Sequence, residues 1–191
     1  MPTGARPYHH GNLQPALLAA AVEAIGQLGP AGVSLREVAR RAGVTHAAAA
    51  YHFGDKAGLL TAVAAEGYRL IGESLRAAQA GGSFLDVGVA YVRFAVDHRA
   101  YFEVMYRPEL YRAGDPSVLE AKAATARLLY GSDNPTPAEL AAGVAAWSLV
   151  HGVATLWLNG NLPERLGDDP EQITRAVAAH LRPPGQPAEE R

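Results

Sequence analysis

The chain of 191 residues contains no cysteine. That excludes a disulfide framework, a thiolate metal site and a cysteine nucleophile, and it suits a reducing compartment. No uninterrupted apolar run approaches the ~18 to 20 residues a membrane span needs. The start, MPTGARPYHHGN, lacks the apolar stretch of a signal peptide. These readings lead to the expectation of a cytoplasmic protein with no membrane partner. Charge of one sign is also scarce: 17 Lys and Arg stand against 19 Asp and Glu, for a net charge of -2. Sustained two-residue alternation is missing, so strands are not expected. Enzyme signatures are missing too. There is no P-loop, no GxGxxG, no HExxH, no nucleophile elbow and no Cys/His metal spacing. The chain is therefore read as a non-enzyme, without cofactor or metal. His9-His10 is an isolated pair.

What is present is helix. Ala, Leu, Glu and Arg fill periodic segments, with 49% hydrophobic residues overall. Asn12 is placed to cap a first helix that presents Leu13, Leu17, Ala21, Ile25 and Leu28 on one face, ending at Gly29-Pro30 and Gly32. Ser34 and Glu37 have the spacing of a capping box for a second helix. Gly43 ends it, and Thr45 caps a third helix running to about Phe53. Asp55 caps a long fourth helix to about Ala80, with Leu59, Leu60, Val63, Leu70 and Ile71 expected on its buried side. Further helices are expected at 83–96, 100–106 and 116–130. Thr136-Pro137-Ala138-Glu139 then opens an apolar helix to about Asn159, and Asp169-Pro170 opens a last one. The expectation is an all-α chain of about nine helices. It divides into an N-terminal three-helix domain (8–54), a C-terminal helical bundle (55–182), and a disordered tail (183–191).

Residues 33–60, VSLREVARRAGVTHAAAAYHFGDKAGLL, carry the function. Two short helices meet at a turn around Gly43, which is helix-turn-helix spacing. Ala39 is small where the second helix crosses the first. Gly43 tolerates the positive φ the turn needs. Leu35, Val38, Ala42, Val44 and Ala49 fill the wedge between them. Residues 1–60 hold five Lys/Arg against three acids, while the remainder is acidic. A mildly basic head on an acidic body suits a DNA module on a larger domain.

Residues 8–60 resemble the DNA-binding domain of the TetR family of repressors. HHGNLQPALLAAA is similar to that family's first helix, SLREVARRAGVT to its second helix and turn, and HAAAAYHFGDKAGLL to its recognition helix and the start of the fourth. YHHGN and AWSLVHGVATLWLNGNL (146–162) resemble a subgroup with a Trp-x-x-x-His-Gly motif, here Trp147, His151 and Gly152. The resemblance leaves out residues 110–135 and the tail.

It implies a homodimer that binds a double-stranded DNA operator through a helix-turn-helix DNA-binding domain at 8–54, and that dimerises and responds to an unidentified small-molecule effector through the ligand-binding bundle at 55–182. Thr45, His46, Ala47 and Ala48 would face base edges. Tyr51 and His52 would lie near phosphates or bases, with His52 alternatively bridging helices one and three. Lys56 would bind a phosphate, Arg36 would reach the DNA, and Arg6 would serve a minor-groove arm. Ala50 stands where many relatives carry tyrosine. Arg40 and Arg41 read as a solvated face.

Tyr91, Phe94, Phe102, Met105, Tyr106, Trp147 and His151 are candidate pocket residues. Leu149, Val153, Leu156 and Trp157 are candidates for packing on a partner, within dimer helices near 136–160 and 170–182. The alternative function is a helical small-molecule carrier without DNA binding.

Overall fold

The computed structural model describes residues 13–130 and 134–180. The expected Asn12 cap, Arg6 arm, His9-His10 pair and 183–191 tail lie outside them. Among the described residues the elements are α1 (Leu13–Gly32), α2 (Leu35–Arg41), α3 (His46–Phe53), α4 (Lys56–Gly81), α5 (Phe84–Asp97), α6 (Arg99–Met105), α7 (Pro116–Tyr130), α8 (Pro137–Leu158) and α9 (Pro170–Ala178). Short 3-10 turns occupy Pro108–Leu110 and Glu164–Leu166, and there is no strand among the described residues. The chain is all-α.

The caps form where polar residues precede apolar periodicity. Thr45 Oγ1 accepts the Ala48 N–H, Asp55 Oδ1 accepts that of Gly58, and Thr136 with Glu139 makes a reciprocal capping box. Ser83 with Asp86 makes another, which sequence reading did not single out. The box expected at Ser34 is only half made. Ser34 Oγ accepts the Glu37 N–H, but the Glu37 carboxylate turns away to two arginines. Charge-assisted bonds are the stronger partners, so the carboxylate leaves the cap.

α1 packs on α2, α4 and α6, and α2 on α3. Leu17, Ala21 and Ile25 are buried as expected, but Leu28 is 50% exposed. The helix breaks one residue later, at Gly29 with φ 70°, and delivers Pro30 and Val33 to the core instead. On α4 the buried stripe runs Leu59, Leu60, Val63, Ala64, Tyr68, Ile71 and Leu75, while Leu70 is only half-buried. α4 touches α1, α3, α5, α6 and α7 and is the axle of the molecule.

α8 corrects one expectation. It is long and apolar enough to cross a membrane by length and composition, although Glu139, Ser148 and His151 interrupt any continuous apolar run. Val153, expected at a partner surface, is buried in the chain's own core, because α8 lies on α5 and α9 along that face.

At the α4–α6 crossing a Cβ on Gly67 would stand 2.5 Å from Met105 Sδ. Gly67→Ala should therefore overpack the crossing and cost about 1–3 kcal/mol, read as a lowered urea midpoint with an unchanged slope.

Candidate nucleic-acid interface

The head is built by a tight α2–α3 corner. Val38 and Ala49 are fully buried and Ala39 is 2% exposed, so the two helices meet at alanine distance. Gly43 has φ 68°, and its N–H is held by the Arg40 carbonyl at 3.3 Å. Only glycine adopts that backbone without strain. Leu35 and Phe53 close the wedge, with Ala42 and Val44 packed at its edge.

This packing turns the other face of α3 outward. Thr45, His46, Ala47, Tyr51 and His52 are exposed, and Ala48 and Ala50 are half-buried. Tyr51 is 86% exposed, its ring standing edge-on to His52 at 5.5 Å. A tyrosine so placed does little for the fold. α3 carries no acid, and its N-terminus leaves amide donors pointing outward, a field that favours phosphate. Arg36 is exposed on α2. His52 makes no hydrogen bond to α1 among the described residues.

Lys56, at the first position of α4, donates from Nζ to the Ala31 carbonyl at 2.6 Å. An ammonium has three donors, so this bond orders the side chain and leaves two protons for another acceptor.

Arg40 and Arg41 are not a uniform solvated face. Arg40 is 69% exposed and holds Glu37 through two bonds of 2.9 and 2.7 Å. Arg41 is only 14% exposed. Its guanidinium reaches Glu37 at 2.7 Å, Glu23 at 3.1 Å and Gln27 at 2.8 Å, tying α2 to α1. The spacing of Glu23, Gln27 and Arg41 held no local signal for this, since the contact depends on how α1 crosses α2.

In the C-terminal part, five of the seven candidate pocket residues meet. Tyr91 Oη accepts the Trp147 indole N–H at 3.1 Å, and lies 2.8 Å from Tyr106 Oη and 2.9 Å from His151 Nδ1. Phe102 closes the group, its ring 5.3 Å from that of His151. Burial pushes the Tyr91 and Tyr106 hydroxyls well above their ordinary range and pushes His151 down, so all three are neutral at physiological pH. Phe94 packs instead on His98, with centroids 4.9 Å apart, and Met105 lies under α4. Surface clefts lie elsewhere. One of about 320 Å³ is lined by Arg93, Asp97 and Asp169, and one of about 220 Å³ lies between His52 and Arg112.

A closed helix-turn-helix head, an outward helix without acids and a larger helical body behind it define a DNA-binding regulator. Residues 17–63 match the family described as bacterial regulatory proteins, tetR family. Residues 84–181 match the tetracyclin repressor-like C-terminal domain. The chain belongs to the TetR family of transcriptional regulators.

A protein of unknown function from Rhodococcus sp. RHA1 is 32% identical, with a TM-score of 0.74 over 92% of this chain and 96% of that one. Two further structures share the fold. A tetR-family regulatory protein from Rhodococcus RHA1 is 23% identical, with a TM-score of 0.64, and covers 88% of this chain and 95% of its own. The regulator PfmR from Thermus thermophilus is 19% identical, with a TM-score of 0.59, and covers 87% and 99%. No curated protein matches the chain.

Two pH dependences follow. Bonds from Arg40 and then Arg41 hold the Glu37 carboxyl down from 4.5 to about 2. Its contribution is complete above pH 4.5 and is lost as pH falls toward 2. Glu37→Gln should flatten that limb of an acid denaturation curve. His151, lowered by burial, binds its proton less readily in the folded chain than in the unfolded one. Stability should therefore decline as pH falls below the ordinary value of 6.5, and His151→Gln should remove that slope from urea midpoints measured across the range.

Proposed function

We propose that the protein is a dimeric repressor, in the cytoplasm, that is released from its operator by a small molecule. The observation that carries the DNA reading is Tyr51. It is 86% exposed on a helix whose opposite face is fully packed, beside exposed His46 and His52 and a helix N-terminus. Thr45, His46, Ala47 and Ala48 would enter the major groove, with alanine methyls against thymine methyls. Tyr51, His52, Lys56 and Arg36 would hold phosphates and fix the register. The DNA-binding domain in this reading is 8–54, and residues 55–182 form the regulatory body.

Dimerisation is assigned to α8 and α9. α8 is strongly apolar, yet only 17% of its most apolar window is buried in the chain. Leu140, Val144 and Leu156 are exposed by 42, 40 and 43%. On the same side Ala141, Ala145, Ser148 and Gly152 are small, and a Cβ on Gly152 would meet nothing within 4 Å. A second copy of the helix can approach closely there, and an apolar surface of that kind needs a partner. Two heads would then engage half-sites about one helical turn, ~34 to 36 Å, or a multiple apart.

The effector is assigned to the aromatic group of Tyr91, Phe102, Tyr106, Trp147 and His151. Mostly apolar walls with a few convergent polar atoms are what such sites use. Phe94 and Met105 serve packing beside it. A ligand that weakens operator binding must itself be weakened by operator to the same degree.

Three outcomes test this reading. Genomic fragments captured by the purified protein should share a partly palindromic site, and Tyr51→Ala should capture none while its stability stays within ~0.5 kcal/mol of the parent. In anisotropy titrations Lys56→Ala should reduce the salt slope by about 1 per protomer across all sequences. Val144→Glu should sediment as a monomer with its helical circular dichroism intact, and an unchanged dimer would contradict the α8 assignment.

A further inference from the structure

We propose that Arg112 is a positioning residue that clamps the α3–α4 junction to the regulatory body, and that the stretch 105–112 links that clamp to the aromatic group. Arg112 lies in the turn between Tyr111 and Gly114, outside every helix. Its backbone N–H donates to Thr61 Oγ1 at 3.0 Å. Thr61 is buried, and its hydroxyl donates in turn to the Ala57 carbonyl at 2.7 Å. The first turn of α4 is thereby tied to the body through the main chain.

The Arg112 side chain makes the second tie. Nη2 donates to Asp55 Oδ2 at 2.8 Å, while Oδ1 of the same carboxylate caps α4 through the Gly58 N–H, also at 2.8 Å. One carboxylate therefore serves both the helix cap and the clamp. Gly58 makes room for this. A Cβ there would stand 1.9 Å from the carbonyl oxygen of Phe53, the last residue of the recognition helix, and 2.8 Å from Arg112 Nη1. The guanidinium thus lies within reach of the residue at which α3 ends.

The other end of the stretch is anchored. The Met105 carbonyl accepts both the Tyr68 hydroxyl of α4, at 3.0 Å, and the Tyr111 hydroxyl, at 2.9 Å. The next residue, Tyr106, bonds to Tyr91 within the aromatic group. The stretch is thus held by the aromatic group at Tyr106 and by Thr61 and Asp55 at Arg112.

The arrangement suits control better than support. Arg112 and Asp55 are 52 and 61% exposed, and an ion pair so placed adds little to global stability. A cleft of about 220 Å³ beside it is lined by His52 and Phe53 on one side and by Arg112, Asp115 and Ser117 on the other. A weak contact at such a place biases an orientation without holding the fold. The consequence for operator binding rests on the function proposed above; the clamp itself does not.

Because the chain has no cysteine, two can be introduced as label sites: Ala31→Cys in the head and Lys122→Cys on α7, both exposed positions. The spin-labelled full chain, diluted with unlabelled protein, gives the head-to-body distance distribution without DNA or effector. The parent should show one narrow distribution. Arg112→Ala should at least double its width while the thermal melt stays in place. Asp55→Asn, which keeps an oxygen to cap α4 but removes the charge, should do the same, and Arg112→Lys should narrow the distribution again. An unchanged width in both Arg112→Ala and Asp55→Asn would overturn the clamp, as would broadening that only follows loss of the melt. Failure to bind DNA would leave this result untouched and would instead count against the regulator reading.

Discussion

Everything in this molecule is referred to the burial of α4. Its stripe from Leu59 to Leu75 is packed by α1, α3, α5, α6 and α7. Burying a single leucine side chain contributes on the order of 1.5–3 kcal/mol, so the register of this helix is set by many such terms at once. The N-terminal turn of α4 packs on the head, at Phe53 and Ala31, and its middle packs on the body. The residues there are placed accordingly: Asp55 caps the turn, Lys56 ties it to the end of α1, and Gly58 lets it pass under Phe53.

Head and body share one kind of polar chemistry and differ in another. In the head, charge is used on the surface. Arg41 joins α1 to α2 through Glu23, Gln27 and Glu37, leaving Arg36 and the α3 face open. The body pairs its surface charges too, as in Arg69 with Glu66 and Arg175 with Asp86, and in addition holds a neutral polar group inside. Tyr91, Tyr106, Trp147 and His151 satisfy one another within a ring of aromatic packing. A group of that kind is sensitive to anything that inserts into it, because each hydroxyl displaced leaves another without a partner.

Features that depend on neighbours in sequence were legible. Thr45, Asp55, Thr136 and Asp169 cap the helices they precede, and the Ala39–Gly43 corner has the geometry its residue types demand. Features that depend on what crosses what were not. Leu28 follows the helical period of Leu17 and Ile25 but lies just before the break at Gly29, where the core has moved elsewhere. Val153 shares an apolar helix with exposed Leu156, and only the position of α5 and α9 decides which of them is covered. The ties of Arg41 to Glu23 and Gln27, and of Arg112 to Asp55, carried no signal, since those partners are far away in the chain.

In the proposed complex two copies of α3 read the major groove of one operator. Methylation interference on a captured operator tests it most directly, because guanine N7 lies in the major groove and adenine N3 in the minor. Two symmetric patches of guanine N7 interference are expected, separated by about one helical turn or a multiple of it. A single patch, or interference confined to adenine N3, would contradict it.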